Sequence, residues 1–345
     1  MKIFDKSIQK ERNGKMSTEK RFAFTGKEAV ELQTFELGEP GEKSVKIRTV
    51  ASMVSTGTEG IVFRRAFTAG NHWDQWVKYP FFPGYSAAGY VTAVGPGVSR
   101  LKVGDRVVTR NGHASASIAP EDQCYRIPEG LSFEDALWFA FAKITAMGAR
   151  VAHYQLGDRV AVVGAGLIGQ FSARWAYAAG AAKVVVIDPV AERLRYLEGA
   201  GSFVTLAEPV AQCYEKLAEI GGGELPNIVV EATGSARVFQ DALKAVGRFG
   251  KLVLMTDTGT PEEQRLSGEV ITRGLTIVGA HDPQERPEWN SGIIAPLFFG
   301  MCLDGRIRLN GMVSHHFSYR NPAEVYRTCM EERNTVMGVV INWEE

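Results

Sequence analysis

The sequence predicts an α/β protein of two units, a small β-barrel in the first part of the chain and a doubly wound parallel sheet in the second. Three observations carry this. Residues 159–188, RVAVVGAGLIGQFSARWAYAAGAAKVVVID, read as strand, tight glycine turn, helix and strand. From there to about Ala280, short β-branched runs alternate with helical patterns of roughly 10 to 15 residues, the rhythm of a parallel sheet covered on both faces. Residues 20–125 instead show short alternating strands broken by Gly and Pro, the pattern of a barrel.

Within the opening stretch each residue type has a mechanical reason. Gly164-Ala165-Gly166-Leu167-Ile168-Gly169 fits G-x-G-x-x-G. Gly164 permits the sharp turn, Gly166 lets a pyrophosphate approach the backbone, and Gly169 lets helix and strand pack closely. The following helix would present free N–H groups, Leu167 and Ile168 among the first, to a phosphate. Asp188 ends the second strand about 20 residues past the turn, where a carboxylate bonds an adenosine ribose. A carboxylate there repels a 2′-phosphate, so NAD is expected over NADP. Arg193 follows closely; stacking on adenine or simple solvation is the favoured role, and a clamp on a 2′-phosphate is the alternative.

The bulk numbers narrow the class. At 345 residues the chain is long enough for two cores. Lys+Arg and Asp+Glu are both 39, so no global field points to nucleic acid or to an anionic membrane. No apolar run is long enough to span a bilayer. Residues 1–19 are charged, lack the apolar core of a signal peptide and read as a flexible extension, with Met16 near the start of the ordered part. The cysteines, Cys124, Cys213, Cys302 and Cys329, are scattered without a C-x-x-C pair, which suits a reducing cytosol and a cytoplasmic protein.

In chain order, strands are expected at residues 21–25, 29–37 and 44–54, and an aromatic loop at 72–82. A helix is expected at 132–153, with Ser132 as N-cap and Glu134 and Asp135 in its first turn. Beyond the glycine turn, helices are expected at 190–200, 210–220 and 235–246, and strands at 227–232, 251–255 and 276–278. The last stretch returns to helix (293–303 and 323–333) and strand (315–317 and 338–343). The dinucleotide unit therefore spans 146–281, and the barrel is built from 20–145 and 282–345.

This order of motifs resembles the medium-chain dehydrogenase/reductase family across nearly the whole chain. The supporting residues are Thr56-Gly57-Thr58-Glu59, Pro83-Gly84-Tyr85-Ser86, VGPGVSRLKVGDRV, the glycine turn, VVEATGS at 229–235 and FGKLVLM at 249–255. The resemblance implies a GroES-like catalytic barrel, an inserted Rossmann domain and hydride transfer with a nicotinamide cofactor. It also implies that Thr233 and Thr256 line the cofactor. STGTE with a PGY-type loop is similar to a zinc-free branch that includes bacteriochlorophyllide-type hydroxyethyl dehydrogenases and sugar or cyclitol dehydrogenases.

Zinc-dependent members of that family carry Cys where this chain has Thr56, His-Glu where it has Tyr85-Ser86, and a further ligand near Phe141. None of these is a good ligand for tetrahedral zinc, and the lobe at 95–123 has no cysteine, so no metal is expected. His72, His113 and Glu59 form a conceivable but disfavoured replacement set. Without a Lewis acid, the reacting oxygen needs a proton donor or acceptor. The resemblance places Tyr85 in the metal's pocket, Thr58 as a hydroxyl relay and Glu59 beside it. A phenol near pKa 10 needs a cation to act as a base. Lys143 is one candidate, although helical spacing turns it away from Phe141 and favours a salt bridge at the domain junction. The aromatic loop either stacks on a substrate ring or packs on itself, His315-His316 read as structural, and Met337 stands where family members often carry a pyrophosphate arginine. The resulting expectation is an NAD-dependent, zinc-independent dehydrogenase of a secondary alcohol on a sugar, cyclitol or similar polyol. The competing readings are a quinone or enoyl reductase and a non-catalytic dinucleotide-binding protein. The apolar edge strand at 275–278 predicts a homodimer or homotetramer.

Overall fold

The computed structural model describes residues 16–309 and 311–344. Of the expected extension, residues 1–15 lie outside the described residues, whereas Ser17 to Glu19 belong to the first strand. The barrel begins with β1 (Ser17–Gly26), β2 (Ala29–Leu37) and β3 (Ser44–Met53), followed by α1 (Thr58–Arg64) and α2 (His72–Trp76). It continues with β4 (Ala87–Val94), β5 (Arg106–Thr109), β6 (Ala116–Pro120) and β7 (Tyr125–Arg126). Helices α3 (Phe133–Leu137) and α4 (Phe139–Ala152) lead out of it. The dinucleotide unit runs β8 (Arg159–Val163), α5 (Leu167–Ala178), β9 (Lys183–Ile187), α6 (Ala191–Leu194), β10 (Val204–Leu206), α7 (Tyr214–Ile220), β11 (Ile228–Glu231), α8 (Ala236–Lys244), β12 (Lys251–Leu254), α9 (Glu269–Thr272) and β13 (Thr276–Gly279). The chain closes with α10 (Ser291–Leu303), β14 (Val313–Ser318), α11 (Pro322–Glu331) and β15 (Gly338–Asn342).

The second unit is a six-stranded sheet in the order β10-β9-β8-β11-β12-β13, parallel throughout. Its strands are buried Val and Ile runs, as strands covered on both faces must be. The order reverses beside β8, which is where such sheets bind ligands at the carboxyl ends of their strands. The barrel sheet runs β14-β15-β3-β4-β5-β7, with β6 also paired to β3. β14 and β15 come from the end of the chain, so the barrel closes only after the second unit has been made.

The expected single helix at 132–153 is two helices broken at Trp138. Ser132 caps α3 through a capping box with Asp135, its side chain accepting from Asp135 N at 3.0 Å. At the break the Leu137 carbonyl accepts the Ser86 hydroxyl at 2.6 Å. Trp138, Phe139, Phe141, Phe171 and Phe298 then fill a core where α4, α5 and α10 meet, each ring contributing about 1.5–3 kcal/mol. This core joins the two units. The helix expected at 190–200 stops at Leu194 and continues as a single 3-10 turn to Leu197, with Gly199 in the left-handed region ending it. Residues 204–206 form a strand too short to show alternation.

Candidate active site

The glycine turn is built as its sequence requires. Gly164 has φ of +97°, and a Cβ on Gly169 would lie 1.7 Å from the Gly164 carbonyl oxygen. A Cβ on Gly166 would meet nothing within 4 Å, so the turn leaves open space where a pyrophosphate approaches. Leu167 and Ile168 open α5, and no side chain caps its N-terminus. Asp188 is buried, its Oδ2 accepting from Ala165 N at 2.8 Å and its Oδ1 from Val190 N at 2.9 Å. It therefore ties β9 to the turn and retains lone pairs for a further donor. Arg193 lies 3.5 Å from Asp188 and donates to the Arg333 carbonyl at 2.7 Å, contacts that fix the side chain near the end of β9. The Arg333 guanidinium is held below its ordinary pKa by burial and by the charges of Arg64 and Arg193. Three arginines distant in sequence thus influence one another here, Arg193 beside Asp188 and Arg333 within range of the charges of Arg193 and Arg64, and only Arg193 was legible in the chain.

Thr233 donates its backbone N–H to Glu231 Oε1 at 2.7 Å, and its hydroxyl bonds the same oxygen. Glu231 Oε2 and Thr256 Oγ1 are buried without a hydrogen-bond partner among the described residues. Burial pushes the Glu231 carboxyl up. Orphaned polar atoms at the ends of β11 and β12, beside an open glycine turn, suit a dinucleotide, and the residues present fit one.

A second cluster lies in the barrel, where Tyr85 OH and Ser55 Oγ are 2.5 Å apart. The Tyr85 ring meets Phe141 at 5.9 Å between centroids, and the Arg110 guanidinium lies over it at 4.7 Å. Burial pushes the phenol above its ordinary pKa, while bonds from Ser55 and Thr58 and the charge of Arg110 pull it back. Tyr85 and Ile168 both pack at the edge of the apolar core that contains Phe141 and Leu167. The structure thus brings Tyr85 and Thr58 together.

Lys143 goes elsewhere. It is buried, donates to the carbonyl of Asp282, and holds Asp282 Oδ1 at 2.8 Å and Glu285 Oε1 at 3.0 Å. The cation acting on Tyr85 is Arg110, which sequence reading missed because nothing in the chain joins residues 85 and 110. Glu59 faces away from solvent. Its Oε1 accepts from Ser55 N at 2.7 Å, and its Oε2 takes His113 Nε2 at 3.1 Å and the Tyr326 hydroxyl. His113 Nδ1 meets Ser52 Oγ at 2.8 Å, which also accepts from Trp343 Nε1. Glu59 acts on Tyr85 by holding the main chain of Ser55 and by its charge, which pushes the phenol further up.

The aromatic stretch is partly helical, not a loop. The Asn71 side chain caps α2, Trp73 is buried and donates to the Thr258 carbonyl at 3.1 Å, and His72 meets Asp257 Oδ2 at 2.5 Å. It packs on itself and on the loop after β12, pinning barrel to sheet.

Comparison with known proteins matches this architecture. Residues 40–133 match the alcohol dehydrogenase GroES-like domain, and residues 168–294 match zinc-binding dehydrogenase. The chain belongs to the medium-chain dehydrogenase/reductase family. It is similar to sorbitol dehydrogenase of Rattus norvegicus, 27% identical over 285 residues that cover 73% of this chain and 77% of the relative. Among solved structures, an Escherichia coli oxidoreductase/dehydrogenase of unknown specificity superposes with a TM-score of 0.83 at 19% identity, covering 94% of this chain and 99% of its own. An E. coli alcohol dehydrogenase complexed with NADH superposes at 0.78 with 18% identity, again covering 94% and 99%.

The resemblance assigns the zinc ligands of zinc-dependent members to positions that here hold Thr56, Tyr85 and Ser86 and to one near Phe141. The Ser86 hydroxyl is spent on Leu137, the phenol is bonded to Ser55 and is a poor zinc ligand while protonated, and Phe141 has no donor atom. His72 binds Asp257 while Glu59 and His113 bind each other, so the imagined replacement set does not assemble. Among the described residues no group of three or more His, Cys, Asp or Glu is placed to hold a metal ion. This donor set does not fit zinc. No helix among the described residues is long and apolar enough to cross a membrane.

Proposed function

We propose that this dehydrogenase is a zinc-independent, NAD-dependent oxidoreductase that interconverts a secondary alcohol and a ketone on a sugar, cyclitol or similar polyol. The observation that carries the reading is the buried Tyr85 phenol, 2.5 Å from the Ser55 hydroxyl and under the influence of Thr58, at the position to which the resemblance assigns the family's metal. Similarity to a sorbitol dehydrogenase supports the substrate class, neighbouring structures bound to NADH and to NADP support a nicotinamide cofactor, and the choice of NAD rests on Asp188.

The glycine turn and the first N–H groups of α5 would hold the pyrophosphate, and Asp188 the adenosine ribose. Bound NADH supplies the hydride. Burial keeps the Tyr85 phenol protonated at neutral pH, so its step is proton donation to the alkoxide that develops as a ketone is reduced. Ser55 and the half-buried Thr58 offer hydroxyls that would relay a proton from solvent to the phenolate, each taking one proton as it passes one on. In the oxidation direction the same groups take the proton away, and a higher pH favours that direction.

The test follows nicotinamide absorbance against a panel of ketoses and keto-cyclitols, with protein dialysed against chelator. Activity should survive chelation. Tyr85→Phe should lower turnover by about a hundredfold or more while NADH affinity stays unchanged. Stoichiometric zinc whose removal abolishes activity would overturn the metal-free reading. A silent Tyr85→Phe would make Tyr85 a plug in the metal's void.

A further inference from the structure

We propose that Arg110 is the resident cation of the Tyr85 site, a guanidinium held over the ring by the Ala140 carbonyl and Asp282, supplying positive charge where the family places a metal. The inference rests on the Tyr85 reading above and names the group that completes it. Arg110 leaves the end of β5, and its NH1 donates to Ala140 O at 2.9 Å on the first turn of α4. Its NH2 donates to Asp282 Oδ2, and its Cζ stands 4.7 Å from the Tyr85 ring centre. A guanidinium carries five donors, so the two bonds that fix it leave others for the reacting oxygen or a bound substrate.

The counter-charges show why Arg110 keeps its effect. Asp282 is shared: Oδ2 faces Arg110 and Oδ1 faces Lys143, which also holds Glu285. The four groups alternate in sign along one chain, and the carboxylate nearest Arg110 is divided between two cations. Lys143 is therefore a positioning residue that fixes Asp282 from its other oxygen and shares its charge with Arg110. Glu59, the other charge acting on the phenol, is spent on Ser55, His113 and Tyr326. Asp282 lies in the segment that returns the chain from the parallel sheet to the barrel, and Lys143 lies on the helix that leaves the barrel. Both chain crossings thus meet at the group that holds the cation in place.

As a ketone is reduced, the phenol gives up its proton and negative charge spreads over the phenol and the substrate oxygen. A fixed cation beside them stabilises that charge without reorganising, and removal of one such donor typically costs about 10²–10³ in turnover.

The experiment measures kcat, KM, NADH affinity and melting temperature for Arg110→Ala, Arg110→Lys and Lys143→Met, with Tyr85→Phe alone and combined with Arg110→Ala. Arg110→Ala should lower kcat by about a hundredfold with NADH affinity unchanged. Millimolar guanidinium should partly restore it, and should not restore the double variant. Arg110→Lys, which keeps the charge and loses the planar fork, should retain more turnover than Arg110→Ala. Lys143→Met should lower kcat less than Arg110→Ala does, without changing KM. Turnover near the native level in Arg110→Ala overturns the proposal. So does a loss that guanidinium does not relieve in a variant that melts like the native protein. Should Arg110→Ala not fold, equal loss in a folded Arg110→Lys and in Tyr85→Phe overturns it instead. A silent Tyr85→Phe beside a rescuable Arg110→Ala defeats the Tyr85 reading alone, whereas an inactive Tyr85→Phe beside a fully active Arg110→Ala defeats only the role of Arg110.

Discussion

Glu59 offers the sharpest separation of scaffold from chemistry. It is 2% exposed, and its two oxygens collect Ser55 N–H, His113 Nε2 and the Tyr326 hydroxyl. Glu59→Ala strands all three. Each buried donor left unpaired costs about 1–3 kcal/mol, so the loss is at least roughly 3 kcal/mol before any cavity is counted. Glu59→Gln is different. Its amide oxygen can accept from Ser55 N–H while its NH₂ donates to the Tyr326 oxygen and to His113 Nε2. His113 then needs its proton on Nδ1, where Ser52 Oγ can accept it. The Ser55 anchor is kept, while the Tyr326 and Ser52 hydroxyl protons lose their acceptors at about 1–3 kcal/mol each, so Glu59→Gln lowers stability without removing the main-chain support of the site. Thermal and urea unfolding, run beside turnover, read both variants. A scaffold role requires Glu59→Ala to melt several degrees lower and Glu59→Gln to keep most of its turnover. A Glu59→Gln variant that stays folded yet loses about a hundredfold in kcat would refute this reasoning and return the carboxylate to the reaction.

The glycine turn separates fold from ligand in the same way. Gly166→Ala should keep the native melting temperature and lose NADH affinity, because its Cβ meets only open space; Gly169→Ala should lower the melting temperature, because its Cβ meets the Gly164 carbonyl at 1.7 Å. Fluorescence titration and thermal melts check the pair. Calorimetry with both reduced cofactors should find NADH bound more tightly than NADPH, since Asp188 opposes a 2′-phosphate; the reverse order would recast Arg193, Arg64 and Arg333 as a phosphate clamp. Light scattering at micromolar concentration should find a dimer or tetramer, because β13 is an unpaired sheet edge with Phe249 and Ile271 exposed nearby; a monomeric mass would contradict the assembly.

What the sequence determined by itself is local. Gly164, Gly166 and Gly169 answer steric demands within one turn, Ser132 and Asp135 cap a helix three residues apart, and buried Val runs specify parallel strands without knowing their neighbours. Resemblance added that positions 56, 85, 86 and 141 hold no ligand for zinc. Helical spacing even turned Lys143 away from Phe141, as the structure has it. What the chain could not show is which charges meet. Arg110 finds Asp282 across 172 residues, and Tyr326 finds Glu59 across 267. Such partners are chosen by the closing of the barrel, whose last strands come from the end of the chain. A buried charge must take whichever counter-group packing delivers to it, and no periodicity along the sequence records that choice.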